Sequence, residues 1–102
     1  MDELNMTKLT PKKIEKALGG LAGWTLANGK LHREYKFRDF IHAFGFMATA
    51  AVAIEARNHH PEWANVWNRV TIDLSTHDAG GITEKDTELA ALLESIATRL
   101  LG

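Results

Sequence analysis

A chain of 102 residues and 11.3 kDa has room for one hydrophobic core, since two would leave each half too small to fold without staples. Twelve basic against thirteen acidic residues give a net charge of −1, which is no footprint for phosphate-backbone binding and argues against a nucleic-acid partner. The 45% hydrophobic and 25% charged content is that of an ordinary globular domain, and the absence of cysteine excludes disulfides, thiolate nucleophiles and Cys-based zinc sites.

A cysteine-free chain suits a reducing compartment, so a cytoplasmic protein is expected. The N-terminus MDELNMTKLT carries acids where a signal peptide needs a basic region. Thr10-Pro11 reads as an N-cap followed by proline at the first helical position; Ile14, Ala17, Leu18 and Leu21 recur at helical spacing, and Gly19-Gly20 offers a stop. Asn28-Gly29 is the strongest turn signal, because both residues tolerate the positive φ of a type I′ hairpin. A two-residue loop sets Ala27 opposite Lys30 and Leu26 opposite Leu31. One face then holds Trp24, Leu26, Leu31, Arg33, Tyr35 and Phe37, and the other Thr25, Ala27, Lys30, His32, Glu34 and Lys36.

The segment from Arg38 to Asn58 reads as the long helix. Phe37, Phe40, Ile41, Phe44, Ala48, Ala51, Val52 and Glu55 follow the i, i+3, i+4 series, while Phe46, Met47, Ala50, Ala53 and Ile54 widen the apolar surface beyond one stripe. So wide a surface calls for cover from a partner subunit. No membrane span is read here, because Arg38, Asp39 and His42 interrupt the apolar run. Pro61 ends the helix and puts the turn at Asn58 to His60. Asn65-Val66-Trp67 and Val70 to Ser75 read as a second hairpin with Asn68-Arg69 in its connection. Thr83 with Asp86 forms a capping box, and Leu89, Leu93, Ile96, Ala97 and Leu100 give the last helix its buried stripe. The expected fold is a single α+β domain over residues 1–102, in the order α-β-β-α-β-β-α, with three helices on one face of a four-stranded antiparallel sheet.

Three of the five histidines, His59, His60 and His77, are candidates for one site. Glu55 lies four residues before His59 and continues the apolar series, so it is expected to point inward or to a cavity edge and to interact with His59 or brace the turn beside it. His32 and His42 read as surface or packing residues. Three histidines with Glu55 could ligate zinc, but neighbouring His59 and His60 cannot aim at one ion without a sharp turn, and no HExxH pair is present. Imidazoles suit proton transfer near neutral pH, so residue chemistry alone points to moving protons on a small molecule.

Glu55-Ala56-Arg57-Asn58-His59-His60-Pro61-Glu62-Trp63, with Asn65-Val66-Trp67-Asn68, Leu74-Ser75-Thr76-His77 and Asp86, strongly resembles the pterin-4a-carbinolamine dehydratases. The likeness extends upstream to Trp24, Phe37-Arg38-Asp39-Phe40 and Ala43-Phe44-Gly45-Phe46-Met47. It implies dehydration of a 4a-hydroxytetrahydropterin to the quinonoid dihydropterin, a step that recycles the cofactor of aromatic amino acid hydroxylases, with neither metal nor cofactor. Carried over, the catalytic histidines are His59, His60 and His77, with Glu55 in support and Trp63, Asp86 and Trp24 as candidate pterin contacts. The resemblance also implies a homodimer or homotetramer joined through the long helices. Ala79 stands where animal members carry a cysteine and Asn58 where they carry an acid, outside the histidine set. Animal members also serve as dimerisation cofactors of a transcription factor, so a non-enzymatic binding role is the alternative.

Overall fold

A computed structural model describes residues 7–101; the N-terminal segment Met1 to Met6, part of the stretch in which no signal pattern is read, lies outside the described residues. Helix α1 (Pro11–Leu18) starts at Thr10, whose side chain accepts a hydrogen bond from the Lys13 amide, and ends at Gly19. Strands β1 (Thr25–Ala27) and β2 (Lys30–Lys36) follow, then α2 (Phe40–Arg57), β3 (Glu62–Val66), β4 (Arg69–Leu74), a short 3₁₀ turn at His77–Ala79, and α3 (Glu84–Leu101). The element order is the expected one. The sheet runs β1-β2-β4-β3, antiparallel throughout.

Both hairpins are set by their turn residues. Asn28 (φ 54°) and Gly29 (φ 75°) adopt the positive φ expected, and Leu26 pairs with Leu31 and Ala27 with Lys30. The second hairpin differs from its expected bounds. Its strand starts at Glu62, the connection is Trp67-Asn68, and Arg69 already belongs to β4. Trp67 takes the left-handed conformation (φ 52°), while Asn68 is buried and ties the turn to the β2–α2 junction, donating its side-chain amide to the Phe37 carbonyl at 2.9 Å.

Period-two burial puts Leu31, Tyr35, Val70, Ile72 and Leu74 under the helices, with charged residues such as Lys30, Glu34 and Asp73 on the open face. Lys30 pairs there with Glu62, and His32 Nδ1 lies 2.8 Å from Asp73. Leu26, expected on the buried side, is exposed, because three-residue β1 is an edge strand of the sheet among the described residues.

Asp39 caps α2 through the His42 amide (2.9 Å). The His42 ring also donates to Asp39, and together these bonds hold the Asp39 carboxyl below its ordinary value. The buried face of α2 is Ala43, Phe46, Ala50 and Ile54, with Met47 packed beside it. The series expected to be buried is the other one: Phe40, Ile41, Phe44, Val52 and Glu55 are exposed. A helix apolar nearly all the way round satisfies both readings, and small Ala43 and Ala50 let this face approach the sheet. At 18 residues and a mean hydropathy of 1.2, α2 is long and apolar enough to cross a membrane by those measures alone, because Arg38 and Asp39 fall outside it. Its role in the fold is to close the core, with Phe46 tilted against both Tyr35 and Phe37 at centroid distances of 5.3 and 5.2 Å.

Candidate active site around the histidine pair

Helix α2 ends at Asn58, which takes the left-handed conformation (φ 52°, ψ 41°) and so turns the chain sharply just before the two histidines. Pro61 then leads into β3. The turn sends neighbouring imidazoles to different carboxylates. His59 Nε2 lies 2.6 Å from Asp86 Oδ1 near the start of α3, and His60 Nε2 lies 3.0 Å from Glu55 Oε1 in the last turns of α2.

The surroundings of these pairs differ. Asp86 has a fully buried side chain (0% exposed) and that of His59 is 14% exposed. Thr76 Oγ1 and the Thr83 amide donate to Asp86 Oδ2, each at 2.9 Å, so the carboxylate is held by donors on both oxygens. Thr83 also accepts from the Lys85 amide at 3.2 Å, which completes the expected capping box. Asp86 therefore has no free face for a ligand; it braces His59.

Glu55 is 80% exposed rather than inward, and it meets His60 rather than His59. It belongs to the outward series of α2, so the choice of helix face decides its place. His77 opens the 3₁₀ turn after β4 and is exposed. It borders a cleft of about 260 Å³ between the tip of the β1–β2 hairpin and the Ser75–Gly81 loop. His59 borders a different cleft, of about 210 Å³, with Arg57, Glu84, Lys85 and Glu88. The two are linked through protein: Thr76, next to His77, donates to the carboxylate that holds His59. Among the described residues no three His, Asp or Glu side chains are grouped as a metal ion would require.

Trp63 is half-buried on the helix-facing side of β3 and packs on the core. Trp24 is buried elsewhere, donating its indole N–H to Glu94 Oε1 at 3.0 Å. Tyr35 and Arg33 donate to the same oxygen, and the Arg33 guanidinium lies 4.1 Å from the Tyr35 ring centroid. Burial opposes ionisation of Glu94, but these hydrogen bonds outweigh it and hold the carboxyl below its ordinary value. Burial first, and Glu94 next, push the Tyr35 hydroxyl well up. This cluster ties β2 and the residue just before β1 to α3. Sequence reasoning missed Glu94 because its partners lie 59 to 70 residues away. It also missed Glu84, Lys85 and Glu88, which carry no motif, and quoted Arg57 in the signature run without giving it a role.

A model of the family described as pterin 4 alpha carbinolamine dehydratase matches residues 7–96. A Solibacter usitatus protein provisionally named pterin-4-alpha-carbinolamine dehydratase is 66% identical over 89% of this chain and 96% of its own. A Rhizobium rhizogenes protein of the same provisional name is 51% identical over 90% and 93%. The crystal structure of a transcriptional coactivator/pterin dehydratase from Brucella melitensis superposes with a TM-score of 0.86 at 44% identity, covering 89% of this chain and 99% of that one. A pterin dehydratase-like protein identified as a RuBisCO assembly factor in the alpha-carboxysome shares the fold, with a TM-score of 0.61 at 20% identity over 72% and 86% of the two chains.

Proposed function

The chain belongs to the pterin-4a-carbinolamine dehydratase family, and from that premise we propose that it is a metal- and cofactor-independent enzyme removing water from a 4a-hydroxytetrahydropterin. One proton is delivered to the leaving 4a-hydroxyl and one is taken from N5. The C4a–O bond breaks, the C4a=N5 bond forms, and the products are the quinonoid dihydropterin and water. His59, His60 and His77 are the acid/base groups. The observation that carries this reading is the histidine pair itself: each Nε2 rests on a carboxylate, so each ring has its other nitrogen left to exchange a proton with a ligand. A natural setting is the recycling of a tetrahydropterin used by an aromatic amino acid hydroxylase.

The decisive experiment is a stopped-flow or coupled assay with 4a-hydroxytetrahydropterin, in which the protein speeds dehydration above the spontaneous rate. No acceleration at micromolar protein would overturn the reading. Exhaustive chelation leaves the rate unchanged on this proposal, whereas loss with recovery on adding zinc speaks for a metal enzyme.

The exposed face of α2, with Phe40, Ile41, Phe44 and Val52, favours a homo-oligomer in which a second copy covers it. Sedimentation showing only monomer at micromolar concentration would contradict that. The same face supports a second reading, a non-enzymatic dimerisation or assembly role. That reading predicts no dehydration above the spontaneous rate, and binding to a partner protein that charge introduced at Ile41 or Phe44 abolishes.

A further inference from the structure

Two buried hydroxyls behind the histidine pair account for the state of His59. Asp86 Oδ2 accepts from Thr76 Oγ1 and from the Thr83 amide. A threonine has one hydroxyl proton, and that of Thr76 is committed to the carboxylate. The 2.7 Å contact between Thr76 and Thr83 hydroxyls must therefore use the proton of Thr83. Thr83 Oγ1 in turn accepts from the Lys85 amide. The protons thus run in one direction, from the Lys85 amide to Thr83, from Thr83 to Thr76, and from Thr76 to Asp86. Thr76, Thr83 and Asp86 are all buried, so no water is needed to complete this chain.

A buried carboxyl oxygen needs a hydrogen-bond donor, and two donors on Oδ2 leave Oδ1 still to be satisfied. Among the described residues only His59 Nε2 reaches Oδ1, at 2.6 Å. We propose that Thr76 and Thr83 are positioning residues which, through Asp86, lock His59 in the Nε2–H tautomer and leave Nδ1 as the nitrogen that meets the ligand. The α3 capping box then has two functions, since the carboxylate that caps the helix also orients the imidazole. Among the described residues Nδ1 of His59 has no hydrogen-bond partner, and the ring borders the cleft formed with Arg57, Lys85 and Glu88. This deepens the dehydratase reading, and its kinetic arm rests on that reading; its spectroscopic arm does not.

The test uses ¹⁵N NMR of the histidine ring nitrogens in the full chain, with His59 assigned by its loss in His59→Gln. Neutral His59 in the wild type is expected as the Nε2–H tautomer. Thr76→Val keeps the shape of the side chain and removes the hydroxyl. It is expected to mix the tautomers and to lower kcat about 10-fold while KM stays within about twofold, the pattern of a lost orienting partner. Thr76→Ser restores the hydroxyl and is expected to return both the tautomer and kcat. A wild-type His59 in the Nδ1–H tautomer overturns the proposal. So does a folded Thr76→Val with unchanged tautomer and kcat. Should Thr76→Val fail to fold, the wild-type tautomer alone decides. A wild type without dehydratase activity overturns the function and leaves the tautomer still measurable.

Discussion

His59 and His60 are neighbours in the chain, and each offers Nε2 to a carboxylate, yet one pair is part of the core and the other stands in water. The His59–Asp86 side chains are 14% and 0% exposed, those of His60–Glu55 56% and 80%. Burying polar groups is costly unless they are hydrogen-bonded, and at the inner pair Thr76 and the Thr83 amide supply donors to the second oxygen of Asp86. The outer pair meets no such demand and is screened by solvent. The same two chemical groups therefore make a fixed brace in one place and an adjustable contact in the other. The left-handed Asn58 and the following Pro61 create the difference, by turning the chain where the two side chains diverge.

The largest effect should come from the imidazoles. His59→Ala, His60→Ala or His77→Ala should each cut dehydration by about 10²–10⁴-fold, the usual worth of a positioned acid or base. Circular dichroism should show the His60 and His77 variants folded, since exposed side chains leave no core cavity. If His60 and His77 act as one proton-transfer unit, the double variant should cost less than the sum of the single losses. Wild-type rates in all three variants would remove these histidines from the chemistry.

Next in size is the inner brace. Asp86→Ala removes the acceptor of His59, Thr76 and the Thr83 amide together, and should destabilise the fold by about 3–5 kcal/mol in urea denaturation. A loss below about 1 kcal/mol, the scale of a solvent-exposed pair, would erase the distinction between the two pairs.

How far the sequence foretold this comparison depended on distance along the chain. Thr83 and Asp86 are three residues apart, so their capping box was legible; the partner of Asp86 is 27 residues away and was not. The type I′ hairpin was legible because Asn28-Gly29 encodes its own φ angles. The face of α2 was misread because apolar residues surround the helix, and period alone cannot choose between Phe44 and Phe46. Glu55 inherited that error: placing the Phe44 and Val52 series inward carried Glu55 inward and hid its pairing with His60. What the pattern did hold was that two apolar faces exist, one for the sheet and one left over.

Glu94 is intermediate, with its side chain 28% exposed, and sharpens the comparison through pH. Its carboxyl is held below the ordinary 4.5 although burial works the other way, because Tyr35, Arg33 and Trp24 all bond to it. The folded value lies below the unfolded one. The resulting stabilisation is therefore present above the unfolded value and is lost as pH falls through the folded one. Melting temperatures of wild type and Glu94→Gln should differ most near neutrality, and the gap should close as the pH drops below about 4. A gap that widens toward acid would reverse the assigned sign.

The smallest effect belongs to the outer pair. Glu55→Gln keeps the length of the side chain and an oxygen that can still accept from His60, and removes only the charge. Both partners are mostly in water, so the change in stability should be about 0–1 kcal/mol and should shrink as salt is added. On the rate, Glu55 acts by orienting His60, so its loss should cost less than the most damaging histidine replacement, and Glu55→Ala more than Glu55→Gln because the acceptor itself is gone. Kinetics of both variants at low and high salt check this ordering. If Glu55→Gln instead matches the loss in His60→Ala, the carboxylate is itself a proton-transfer group, and the outer pair, for all its exposure, is the chemical centre of the site.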